Sequence, residues 1–116
     1  MRFETFSELT YEILEKTVNS FLQDEMVGVL HSQVLRPKNY FIIVLTTGKK
    51  TDNPMKVRVF SRHGYPESWI ANQMNQFLER NVEIISVKLE FVLHEFQGKQ
   101  FGLIPIGQII YKDKMT

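Results

Sequence analysis

The window SRHGYPESW, Ser61 to Trp69, places two serines, a histidine and a glutamate in one short stretch. A serine hydrolase would need its nucleophile on a strained elbow, a base within hydrogen-bond reach and oxyanion donors. No GxSxG occurs here, and no acid stands at a spacing that would complete such a set. Turn chemistry accounts for the same residues: Pro66 suits the first helical position and Glu67 complements the positive end of a helix. The expectation is a turn into a helix, with no catalytic residue and no enzyme. Arg62, His63 and Tyr65 remain as candidates for contact with an anion or a partner surface at that helix start.

The other chemistry-bearing groups are dispersed. His31, His63 and His94 fall on separate segments with no HExxH or paired spacing, so no metal site and no cofactor are expected. His31 reads as a polar strand position and His94 as an exposed strand end. Lys49, Lys50, Lys56, Arg58 and Arg62 cluster in sequence and form the candidate surface for an anionic partner, the more so if the fold brings Arg2, Arg36 or Lys38 near. Glu8, Glu12 and Glu15 read as a solvated helix flank. KQFGLIPI, from Lys99, echoes the strand of an RNA-recognition motif but keeps only Phe101 as a stacking ring, so that family is rejected.

These residues need a scaffold, and 116 residues allow one compact domain. Fourteen basic against 13 acidic residues leave no strong overall field for nucleic acid or membrane. Without cysteine, disulfides and thiolate chemistry are excluded, which fits a reducing compartment. The N-terminus lacks the apolar run of an export signal, and the longest such run, Tyr40 to Leu45, falls far short of the roughly 20 residues that span a bilayer. A cytoplasmic protein is expected.

The chain reads as a duplication. MRFETFS from Met1 aligns with MKVRVFS from Met55, and ILEKTVNSFLQ from Ile13 with WIANQMNQFLE from Trp69. Each copy begins with an alternating strand, Phe3 and Val57 opening an apolar face opposite Glu4 and Arg58. An amphipathic helix follows, with stripes Ile13, Leu14, Val18, Phe21, Leu22 and Trp69, Ile70, Met74, Phe77, Leu78, and with Glu12, Glu15 and Lys16 turned to water. Two strands joined at RPKN or FQGK complete each unit, Pro37 and Gly98 supplying turn geometry. Units 1–47 and 55–116, linked by 48–54, form one compact α+β domain.

The third strands, NYFIIVLTT and KQFGLIPIGQIIY, are apolar on both faces and should be buried on both sides, with Pro105 and Gly107 bending or bulging the last. Two arrangements satisfy this pattern. Either two β-α-β-β units related by a pseudo-twofold pack their sheets together with helices outside, or one continuous six-stranded sheet uses its open face for a homo-oligomer. The first is preferred.

The second half resembles a family of very short sporulation-associated proteins of spore-forming bacteria and their mobile elements. The likeness rests on the K-V-x-V-F strand at Lys56, the N-x-F-L helix end at Asn75, E-I-I-x-V-K at Glu83 and the closing I-I-Y at Ile109, and covers 55–112. It implies a small bacterial or phage-type accessory protein and no transferable enzymatic activity. The expected function is a non-catalytic regulatory or protein-interaction role. The alternative is a module binding or sequestering a nucleotide or other anionic small molecule, and the third reading is nucleic-acid binding through Lys49, Lys50, Lys56, Arg58 and Arg62.

Overall fold

A computed structural model describes residues 1–114, so the last two positions of the second unit lie outside the described residues. The order is β1 (Arg2–Glu8), α1 (Tyr11–Glu25), β2 (Val27–Leu35), β3 (Phe41–Lys50), β4 (Lys56–Phe60), α2 (Glu67–Leu78), β5 (Val82–Phe96) and β6 (Gln100–Asp113). Two antiparallel three-stranded sheets result, ordered β1-β3-β2 and β4-β6-β5. The duplicated β-α-β-β units thus share one topology, with the helices packed outside the sheet pair. No helix among the described residues is long and apolar enough to cross a membrane.

The sheets meet through Ile43, Leu45 and Val34 on one side and Val57, Val59, Ile106 and Ile110 on the other, all within one buried cluster. Polar groups crossing this layer are satisfied: Ser32 Oγ donates to Gln108 Oε1, and Lys88 Nζ donates to the Ser32 carbonyl at 2.6 Å. A second cluster, Phe60, Ile70, Met74, Phe77, Ile109 and Tyr111, lies between α2 and its own sheet.

Helix α1 starts at Thr10, whose hydroxyl accepts from the Ile13 N–H, and ends at Met26 in the left-handed region with its N–H on the Leu22 carbonyl. Leu14, Val18 and Leu22 are fully buried, each worth about 2 kcal/mol relative to exposure. The buried face is rotated from the expected one: Ile13 is exposed, and Glu15 turns inward to β4 rather than to water. The reason is that α1 packs on β4 as well as on β1 and β3. In β1 the expected faces are exchanged. Phe3 is exposed, whereas Glu4 shares the inner face with Phe6, whose ring meets Phe21 at 5.2 Å. A strand buries one parity only, and the Phe6 contact with α1 decides which.

Other expectations shift by small amounts. The linker begins later than position 48, because β3 continues to Lys50 in register with β2. Pro66 is the N-cap, extended at φ −75°, and the helix starts at Glu67. β6 is buried on both faces from Ile106 to Tyr111, but β3 buries one face and half-buries the other. The bulge falls between Ile84 and Ser86 rather than at Pro105 or Gly107. Pro105 lies just beyond Gly107, where the β4 ladder ends, so its missing N–H costs no ladder bond. Gly107 serves a close approach instead: a Cβ there would stand 2.3 Å from Met74 Sδ of α2.

Candidate functional site

Three connections converge at one end of the sheet pair. The β2–β3 turn brings Arg36, Lys38 and Asn39, the β4–α2 connection brings His63, and the β5–β6 hairpin brings His94 through Gly98; together they line a cleft of about 520 Å³. The hairpin closes through Gln97 and Gly98, at φ 52° and 74°, with the Lys99 N–H on the Phe96 carbonyl. Two successive positive φ values make a tight hairpin turn that sets the cleft wall.

His94 is buried, not the exposed strand end expected. β5 runs on to Phe96, and its even positions face the other sheet, so His94 Nδ1 donates to the Arg36 carbonyl at 2.8 Å. The His63 and His94 rings lie 6.5 Å apart, and Phe96 packs on His94 edge-on at 4.7 Å. The Arg36 guanidinium stacks over Phe41 at 4.7 Å, and its Nε is buried without a hydrogen-bond partner among the described residues. Burial holds its pKa below the usual arginine value. The cleft therefore carries a partly desolvated cation whose buried Nε is an unmet donor.

The expected basic group does not form one patch. Lys49, Lys50 and Lys56 lie near the start of β4, whereas Arg62, His63 and Tyr65 follow its end, roughly 20 Å along the strand. Lys50 Nζ donates to the Glu25 carbonyl, Lys56 pairs with Asp113, and Arg58 lies 3.7 Å from Glu15. Arg62 stacks on Tyr65 and Trp69, with its charge centre 4.3 and 5.4 Å from their rings. Arg36 and Lys38 do join the His63 end. Ser61 is buried while Ser68 is exposed, and neither hydroxyl is hydrogen-bonded to His63. Among the described residues, no three His, Asp or Glu side chains are grouped to hold a metal ion.

The second feature is apolar. β4 and α2 cover only the lower part of β6, because β4 ends opposite Gly107 while the β5–β6 hairpin continues to Gln100. On the outer face beyond them stand Val87, Leu89, Phe91 and Leu93 of β5, with Phe101 and Leu103 of β6. Their exposures range from 39% to 66%, high for six neighbouring large apolar side chains on a single sheet. The sequence shows the alternation in IISVKLEFVLHEF, but its apolar parity reads as core until the shortness of β4 and α2 is known.

No family model matches the chain, and no curated protein or solved structure matches it.

Proposed function

We propose that this chain is a small, non-catalytic interaction protein that works through the outer face of the β5–β6 hairpin. The observation carrying this reading is the stripe Val87, Leu89, Phe91, Leu93 on an edge strand, continued by Leu103 and Phe101. An edge strand supplies unpaired backbone groups for a partner, and alternate side chains supply the apolar contact. The resemblance of 55–112 to short sporulation-associated proteins supports an accessory, regulatory role in a bacterial or phage setting, and the cysteine-free composition is compatible with the cytoplasm.

Cross-linking in host lysate, followed by affinity capture, tests the reading. Wild-type protein should retain a discrete protein band or its own copies, and Phe91→Glu and Leu103→Glu variants should lose it. Equal capture by all three proteins would overturn the assignment of the surface.

A second reading is supported by the unpartnered Arg36 Nε: the cleft binds an anionic small molecule, such as a nucleotide, between Arg36, Lys38 and His63. Titration with inorganic phosphate and with a nucleoside monophosphate should raise the melting temperature of wild-type protein and not of Arg36→Leu. No shift with either probe removes this reading.

A further inference from the structure

The edges of the two sheets are not equivalent. On β4, Asn19 of α1 accepts from the Val57 N–H and donates to its carbonyl, while Glu15 accepts from the Val59 N–H. The edge of β2 is broken by two register shifts, and β1 carries inward-facing Glu4 and Glu8. Each of these devices hinders strand addition. Among the described residues, β5 has neither bulge nor cap between Val87 and Leu93.

The direction of its free groups follows from one hydrogen bond. Glu95 N–H donates to the Pro37 carbonyl, away from β6, at 3.0 Å. In an antiparallel strand a residue's N–H and C=O point to the same side, alternating along the chain. Leu93, Phe91, Leu89 and Val87 therefore present both groups to the open edge. The apolar stripe and the free backbone belong to the same residues.

We propose that the chain forms a homodimer by antiparallel pairing of β5 with β5 of a second copy, centred on Leu89. This rests on the reading of the β5–β6 surface as an interaction site and names its occupant. The register is chosen by charge. Centring on Leu89 sets Lys88, whose Nζ also donates to the Ser32 carbonyl and lies 3.8 Å from Glu90 of its own strand, opposite Glu90 of the second copy, and Glu90 opposite that copy's Lys88, in the closer, non-hydrogen-bonded positions. Centring on Lys88 or Glu90 instead opposes like charges, and centring on Val87 or Phe91 leaves both charges without an opposite partner. The same centre places Val87 against Phe91 and Leu89 against itself, each with outward backbone groups. Pairing ends at Val87 opposite Phe91, because the bulge between Ile84 and Ser86 interrupts the strand beyond it. The two β4-β6-β5 sheets become one continuous sheet across a twofold axis, as an isologous interface requires.

Charge reversal tests the register with the full chain. Sedimentation velocity and native mass spectrometry through the micromolar range should show a wild-type dimer. Lys88→Glu alone and Glu90→Lys alone each create two like-charge pairs, and each should weaken the dimer by about 10-fold or more. Mixing those two variants should restore a heterodimer, and the double variant K88E/E90K should restore the homodimer; either restoration also shows that the variants fold. A monomeric wild type, or a dimer indifferent to both reversals and to mixing, overturns the proposal. A monomeric wild type that still captures another protein through Phe91 removes self-pairing and leaves the interaction surface standing. A monomer that captures nothing removes both.

Discussion

The β4 and β5 edges bound the same sheet, yet one is closed and the other open. Along β4, the side chains of Glu15 and Asn19 take the places of a neighbouring strand, satisfying the Val57 N–H and C=O and the Val59 N–H. Along β5, Val87 to Leu93 have no such neighbour among the described residues, and Val87, Leu89, Phe91 and Leu93 form the exposed apolar stripe. The difference arises from where each helix lies. α1 packs across both units and reaches β4, whereas α2 packs on the outer face of its own sheet and leaves the Val87–Leu93 edge of β5 open. Duplicated sequence has thus produced two helices with different tasks: one seals an edge, the other covers a face.

The strongest way to break this contrast is to unseal β4. Asn19→Ala leaves the Val57 N–H and C=O without partners in a part-buried site, and should cost about 2–4 kcal/mol in chemical denaturation. Asn19→Asp keeps an acceptor for the Val57 N–H but sets a carboxylate oxygen against the Val57 carbonyl, so it should recover little of that loss. If Asn19→Ala unfolds at the wild-type denaturant midpoint, α1 does not seal that edge.

Next in size is the face that α2 covers. Gly107→Val drives a side chain into Met74 and Ile70 and should destabilise by about 1–3 kcal/mol. Adding Met74→Ala to it should recover part of that loss. A neutral Gly107→Val would mean that α2 does not press on β6.

A pH series sharpens the account of the seal. Burial raises the Glu15 carboxyl above its ordinary 4.5, opposed by the Val59 N–H and by Arg58. The folded chain therefore holds this proton to higher pH than the unfolded chain does. The group's favourable contribution is complete below the unfolded value and is lost as pH rises from 4.5 through the raised folded value. Glu15→Gln removes this loss, so its stability relative to wild type should increase with pH in denaturant titrations from about pH 4 to 7. A difference independent of pH would place Glu15 in an ordinary solvated setting.

The smallest stability effect belongs to the open side. Leu103→Ser lies on the exposed hairpin and should change folding stability by about 0.5 kcal/mol or less. A large loss would show that Leu103 is core and that the stripe is not a free surface.

Periodicity and self-similarity determined the duplication, both helices, all six strands and the α+β class, because these follow from local spacing and from one copy checking the other. Val57, Ile70, Met74 and Phe77 are buried as their pattern requires. The exchanged faces of β1, the inward turn of Glu15 and the burial of His94 were decided only by tertiary packing. In each case the pattern permitted two faces, and a contact distant in sequence selected one: Phe21 for Phe6, Val59 for Glu15, Arg36 for His94. The cleft joins residues from Arg36 to Gly98, so no local window could display it. The apolar hairpin face was written in the alternation of β5, but whether that face is core or surface depends on how far β4 and α2 extend. That is a property of lengths in space, which spacing along the chain does not encode.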